Sequence, residues 1–344
     1  MKLVVFGTSE FAVPVLEAVA ARHDVVGVVT QPDRPSGRGQ KLVATPMKRA
    51  AEARGLRVFT PEKLQPFVDD AWALGAEAFV VASYGKIVPQ ALLDAVPIAF
   101  NVHPSLLPLY RGATPLQSAI RDGRTETGVT IIAMDAGMDT GDVLLQERTP
   151  LGPLETYGEL HDRLAKRGAE MALDAVDRYA NGTLTRKAQA AAALELGIGD
   201  DEIARTRTRP LGKDDLILPK SASANQLVDF IRSRAPRPSA RVTGLDSTAY
   251  PDGNIGVGSA RIIQAHVMPV PPVLALHDQT FEPGRLIAIH GYWFIRATDG
   301  WIAVDELVPE GGKKMSMASY ANGHTVTSAL PSDVLRPLDE ILSP

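Results

Sequence analysis

The 344-residue chain contains no cysteine. This excludes a disulfide framework, a thiolate nucleophile and any zinc site built on cysteine. Its seven histidines are scattered without ligand spacing, so no metal is expected. Long apolar runs are missing too. The opening MKLVVFGTSEF stops being apolar too early for a signal peptide, and no later stretch approaches the roughly 20 apolar residues of a membrane helix. A soluble, cytoplasmic protein with no membrane partner is the expectation. After the first apolar run the turn reads FGTSEF rather than G-x-G-x-x-G. That disfavours a dinucleotide cofactor, because the missing glycines are what let a backbone approach pyrophosphate.

What is present points to a folded, two-domain protein. Hydrophobic residues make up 45% and charged residues 22%, close to ordinary globular chains, so wholesale disorder is excluded. The length suits two domains of about 100–200 residues each. The formal charge of −4 hides an uneven distribution. Between Arg205 and Arg241 stand Arg207, Arg209, Lys213, Lys220, Arg232, Arg234 and Arg237, opposed by Asp214, Asp215 and Asp229. Such a stretch is either a solvated linker face or the footprint of a polyanion.

Apolar runs at Lys2–Phe6, Val25–Thr30, Val58–Phe59, Ala78–Ala82, Ile98–His103 and Gly128–Met134 read as buried strands. Helical spacing at Phe11–Ala21, Met47–Arg54 and Thr156–Ala180 lies among them. The alternation predicts an α/β fold over residues 1–190, a doubly wound and mostly parallel sheet of Rossmann-like type. The composition then changes through an alanine-rich stretch, GIGDD and RTRTRP, and residues 191–214 are expected to link two domains. A helix at Asn225–Arg234 precedes short β-branched runs broken by Gly, Pro and Asp, predicting a small OB-like antiparallel β-barrel over 215–330 and a tail at 331–344. The Gly/Asp-rich segment 245–258 has no assigned role. Doubly wound sheets bind ligands beyond the C-terminal ends of their strands. Chemistry is therefore expected after strands, at Thr8, Tyr84, His103 and the segment 135–139.

The densest candidate is Asn101 to Pro115, NVHPSLLPLYRGATP. Strand alternation puts Asn101 and His103 on one side of the chain. Taken singly, each has an ordinary structural reading, and so does Asp139 in GMDTGD. Together they supply the parts of acyl transfer to an amine. An amide donor can hold a developing oxyanion, an imidazole can exchange protons near neutrality, and a carboxylate can orient that imidazole and take up the amine proton.

Four segments carry a resemblance: FGTSEFAVPVLEA, QPDRPSGRGQKL, NVHPSLLPLYRGATP and ETGVTIIAMDAGMDTGDVL. They closely resemble methionyl-tRNA formyltransferases, a branch of the folate-dependent formyltransferases, and the likeness returns in GWIAVDELVPEGGKKMSMASYANGH. The resemblance implies a catalytic triad of Asn101, His103 and Asp139. It implies folate contacts at Ser105, Leu106, Leu107 and Pro108, with Tyr84 and Gly85 flanking the pterin. The loop Gln31–Leu42 is basic and longer than a strand–helix connection needs, and the resemblance implies that it reaches tRNA through Arg38, with Arg34 and Lys41 beside it. Lys313 and Lys314 are expected to add phosphate contacts. The implied donor is 10-formyltetrahydrofolate and the implied partner initiator methionyl-tRNA, acted on by a monomer. An amino sugar nucleotide or another small amine is the alternative acceptor.

Overall fold

A computed structural model describes residues 1–36, 41–243, 259–270, 281–289, 292–309 and 311–323. It divides into two compact units. The first comprises Met1–Ala119, Thr125–Gly152 and Glu159–Pro210; the second comprises Ile120–Arg124, Pro153–Gly158 and the chain from Leu211 onward.

The first apolar run forms β1 (Lys2–Gly7), followed by α1 (Ala12–Ala20) and β2 (Asp24–Val29). Leu3, Val4, Val5 and Phe6 are fully buried, as a strand covered by helices on both faces must be. Helix α1 buries Ala12, Val15, Leu16 and Val19, one stripe at helical spacing. A two-stranded hairpin follows, β3 (Arg34–Ser36) and β4 (Lys41–Val43). Helix α2 (Pro46–Glu52) then starts where the Thr45 hydroxyl accepts the Lys48 N–H at 3.0 Å, with proline in the first turn where no amide hydrogen is needed. Next come β5 (Val58–Phe59), α3 (Phe67–Ala73), β6 (Ala78–Ala82), α4 (Gln90–Leu93), β7 (Ala99–His103) and α5 (Pro115–Arg121). The unit is completed by β8 (Glu126–Ala133), β9 (Val143–Pro150), α6 (Tyr157–Ala180) from Glu159 onward, α7 (Gln189–Leu196) and α8 (Asp200–Arg205).

The sheet order is β5-β2-β1-β6-β7-β8-β9. Strands from β5 to β7 run parallel, whereas β8 is antiparallel to β7 and β9 antiparallel to β8. The sheet is thus mostly parallel, with a hairpin on one edge. That hairpin sets the course of the loop carrying Asp139. The loop leaves β8 at Met134, whose N–H bonds the Ala99 carbonyl at the start of β7, and it must turn back to reach the other end of that strand.

The segment 191–214 is not a bare tether. It holds most of α7 and all of α8, and Val143 exchanges two backbone hydrogen bonds with Lys187, 2.8 and 2.9 Å, just before α7.

In the second unit α9 (Ala224–Arg232) opens with a capping box, in which Ser223 and Gln226 satisfy each other's backbone N–H groups. Strands β10 (Ala240–Thr243), β11 (Ser259–Met268), β12 (Leu286–Ile289), β13 (Tyr292–Arg296), β14 (Trp301–Pro309) and β15 (Met315–Ser316) follow, then α10 (Met317–Gly323). They form an antiparallel sheet in the order β10-β11-β14-β13-β12, with β15 on β14, consistent with a small barrel. Leu227 and Ile231 of α9 pack with Trp293, Ile295, Ile302, Leu307 and Tyr320 in its core. The segment 245–258 and the tail 331–344 lie outside the described residues. Among those residues, no helix is long and apolar enough to cross a membrane.

Candidate active site

Strand β7 delivers Asn101 and His103 on alternate positions, as the spacing requires. The Asn101 Nδ2 donates to Asp139 Oδ1 at 3.2 Å. The His103 ring is buried, with Nε2 3.0 Å from the Tyr110 carbonyl. A carbonyl can only accept, so Nε2 carries a proton. Its Nδ1 faces Asp139 Oδ1 at 3.7 Å, longer than a hydrogen bond but within ion-pair range once the ring is protonated. The other oxygen of Asp139, Oδ2, accepts the Gly112 N–H at 2.8 Å. The three side chains expected to work together therefore meet, Asp139 Oδ1 lying against both of the others.

Two backbone distortions hold this arrangement. Asp139 sits at φ +54° and Tyr110 at φ +59°, left-handed conformations that cost a non-glycine residue about 1–3 kcal/mol unless the surroundings enforce them. Gly112 is at φ +112°, and a Cβ there would lie 2.2 Å from the Thr208 carbonyl oxygen. Only glycine lets the Arg111–Gly112 backbone run so close to Thr208, with which it forms an isolated β-bridge, and still point its N–H at Asp139.

The enforcing contacts come from residues that the sequence did not single out. Gln189, 6% exposed at the start of α7, donates through Nε2 to the carbonyls of Asp139 and Gly141, 2.8 Å each. Its Oε1 accepts from Arg111 Nε at 3.1 Å and Nη2 at 2.7 Å. The Arg111 pKa is lowered by burial and by the neighbouring Arg207, with Asp139 and Asp135 opposing. Thr208 bonds the Arg111 carbonyl through its N–H at 2.8 Å and receives the Thr114 N–H at 3.0 Å. Thr206 faces inward and is buried, while Arg205, Arg207 and Arg209 are all exposed. The pattern spans the end of α8, whose C-cap is Thr206, and the segment after it, where Thr208 turns to the Arg111–Gly112 backbone and Arg207 and Arg209 stand in solvent. That alternation was visible in RTRTRP; what it packed against was not.

The segment Ser105–Pro108 is a buried scaffold. The Ser105 hydroxyl donates to the Leu109 carbonyl at 2.7 Å, and Thr130 Oγ1 donates to the Ser105 carbonyl at 2.7 Å. Gln146 Nε2 donates to the Leu107 carbonyl at 2.8 Å. Leu107 packs with Ile132, Val143 and Ala192, and Leu106 and Pro108 are buried as well. Tyr84 is 2% exposed, its ring edge-on to Phe6 with centroids 5.5 Å apart. Its buried hydroxyl has no hydrogen-bond partner among the described residues, and burial pushes the phenol up to about 12. The Tyr84 ring thus belongs to the core, and its carbonyl is the part that meets Thr8 Oγ1 and Gln31 Nε2, at 2.9 and 2.8 Å. Gly85 follows at φ +78°, beside Gln31.

In the basic loop, Arg34 Nη2 donates to Gln31 Oε1 at 2.7 Å, and Lys41 is exposed on β4 next to the exposed Leu42 and Val43. Arg38 lies outside the described residues. In the second unit Lys314 pairs with Glu306 at 2.6 Å, and Lys313 is exposed. Among the described residues, no group of three His, Asp or Glu is placed to hold a metal ion.

Residues 1–176 match the formyl transferase family, and residues 211–325 match the formyl transferase C-terminal domain. The chain belongs to the formyl transferase family. A methionyl-tRNA formyltransferase of Symbiobacterium thermophilum is 39% identical, with 94% of this chain and 92% of the relative aligned. One from Carboxydothermus hydrogenoformans is 37% identical over 94% of this chain and 97% of its own. Among solved structures, a Helicobacter canadensis N-formyltransferase in complex with folinic acid and dTDP-3-aminofucose superposes with a TM-score of 0.61 at 18% identity, covering 88% of this chain and 98% of that one. HypX of Aquifex aeolicus in complex with tetrahydrofolic acid gives 0.59 at 14% identity, covering 92% of this chain and 46% of that one. Those two likenesses show the fold. This formyl transferase is an enzyme that moves a formyl group, and the amide, imidazole and carboxylate on β7 and the following hairpin are its candidate machinery.

Proposed function

We propose that the protein transfers the formyl group of 10-formyltetrahydrofolate to the α-amine of initiator methionyl-tRNA. One observation carries the choice of acceptor: relatives bearing the methionyl-tRNA formyltransferase name align over more than nine-tenths of both chains, through both domains. The exposed Arg205, Arg207 and Arg209 beside the site support a polyanionic substrate. Arg34 and Lys41 on the β3–β4 hairpin, with Arg38 between them in sequence, supply further positive charge for the nucleic acid, and Lys313 does so in the second domain.

The α-amine has an ordinary pKa of about 7.7–8.0, so the neutral nucleophile is abundant at physiological pH. Its lone pair adds to the formyl carbon, and the carbonyl π pair moves onto the oxygen. In this reading the second N–H of Asn101 and an Nδ1–H of His103 stabilise that oxyanion. The Tyr110 carbonyl holds the imidazole ring at the other nitrogen, which leaves Nδ1 as the working atom. Asp139 accepts the proton that the ammonium nitrogen loses. Collapse of the intermediate breaks the bond to folate N10, which takes the proton that Asp139 holds as it leaves, so the carboxylate is restored and no net proton is consumed. Residues Ser105–Pro108 and Tyr84–Gly85 wall the donor side as a rigid scaffold, their side chains and carbonyls being held inside the protein.

The test is a formylation assay with purified protein, formyl-folate and methionine-charged initiator tRNA, run beside nucleotide-linked amino sugars. Formyl-methionyl-tRNA is the expected product. Formylated sugar with unreacted methionyl-tRNA would overturn the assignment.

A further inference from the structure

We infer that Gln189 is a positioning residue for formyl transfer, holding the Asp139 loop against the Arg111–Gly112 turn; the inference rests on the proposed role of Asp139. Gln189 reaches both loops with all of its amide valences. Two donors go to Asp139 O and Gly141 O, and two acceptor positions go to the Arg111 fork. The orientation of the amide is unambiguous. A flipped amide would aim oxygen at two carbonyls and N–H groups at a guanidinium, making all four contacts repulsive.

The loop needs such a clamp. It runs from Met134 to Asp142 and places Asp139 in a left-handed conformation. Gly141 is pressed so close to β8 that a Cβ would lie 1.7 Å from the Ala133 carbonyl oxygen. The clamp itself is anchored. Lys187 and Val143 exchange backbone hydrogen bonds two residues before α7 begins its first turn, so Gln189 enters the site from a fixed point. Only a neutral amide of this length suits the position. Glutamate would keep the Arg111 contact but set a carboxylate oxygen against two carbonyl oxygens. Asparagine is one methylene too short to span both.

The experiment compares wild type with Gln189→Met and Gln189→Glu in the full-length protein. It reads kcat and KM for formyl transfer, together with amide hydrogen exchange over residues 135–142. Gln189→Glu retains the Arg111 contact and so keeps α7 seated, which guards against simple unfolding of the methionine variant. In both variants kcat is expected to fall at least tenfold with each KM within about twofold of wild type. Exchange in 135–142 is expected to accelerate about tenfold while that in β8 stays unchanged. Wild-type kcat in Gln189→Glu, or loop exchange that does not change, overturns the inference. An Asp139→Ala control separates this from failure of the site itself. If that variant is inactive, only the role of Gln189 falls; if it turns over normally, the reading of Asp139 falls with it.

Discussion

Replacing Asn101 by alanine is expected to slow formyl transfer by about 10²–10³, with little change in KM for either substrate. The side chain has two N–H groups, and one is held by Asp139 Oδ1 at 3.2 Å. In the proposed mechanism the other is the donor for charge that develops on the formyl oxygen. An amide donor in that role contributes about 3–4 kcal/mol at the transition state, which at about 1.4 kcal/mol per decade is two to three decades of rate. The loss belongs in kcat because the ground-state carbonyl demands much less of the donor than the oxyanion does. Collateral damage is small. The Asn101 backbone pairs with Val81 and Ile132, which alanine preserves, and Asp139 keeps the Gly112 N–H at 2.8 Å. Stability is expected to drop by about 0.5–1.5 kcal/mol for the lost hydrogen bond, readable as a small shift in Tm. Single-turnover formation of formyl-methionyl-tRNA, resolved on acid gels with saturating formyl-folate, measures the step directly. A loss below about tenfold in a folded variant, or one confined to KM, refutes the oxyanion role.

Three other perturbations follow from the same geometry. Alanine at both Arg207 and Arg209 should weaken tRNA binding and make its log–log salt dependence shallower by about 1.4–1.8, at about 0.7–0.9 per phosphate; an unchanged slope would mean that these exposed guanidinium groups do not meet phosphate. Ser223→Ala removes one half of the α9 capping box and should cost about 1 kcal/mol, seen as a lower denaturation midpoint with kcat intact. The hydrogen bond that His266 Nδ1–H donates to the Asp305 carboxylate raises the pKa of His266, so the pair stabilises the fold fully below about pH 6.5 and that contribution is lost as pH rises through the folded value. Both groups are substantially solvated, which limits the effect to below about 1 kcal/mol. His266→Ala should therefore lower Tm slightly at pH 5.5 and not at pH 9; an equal deficit at both would make the contact one of packing rather than charge.

Much of this molecule was legible before any coordinates. The runs KLVVF, VVGVVT and AFVVA read as strands covered on both faces, because they are short, rich in β-branched residues and, after KLVVF, closed by a glycine turn. The N-V-H spacing had to put Asn101 and His103 on one side of a strand. Backbone geometry alone dictates both conclusions, and both hold in the structure. The α6 pattern ended within a residue of its expectation for the same reason: an amphipathic period extends over many turns and is read locally.

Only the tertiary structure could say which ends meet. Strand direction at the sheet edge decided that the Asp139 loop leaves at the start of β7 and folds back onto Asn101 and His103, since nothing in ETGVTIIAM marks a strand as antiparallel. Packing around Phe6 decided that Tyr84 turns its ring inward, although its place after β6 suits a ligand equally well. An alanine-rich stretch with one glutamine reads as connective, yet Gln189 closes the site, because a hydrogen bond between residues 50 positions apart leaves no local trace. Local sequence sets the conformation of each segment through sterics and burial. Which segments then share a space depends on the sheet order and on side chains satisfying one another across it, and those are properties of the assembled fold.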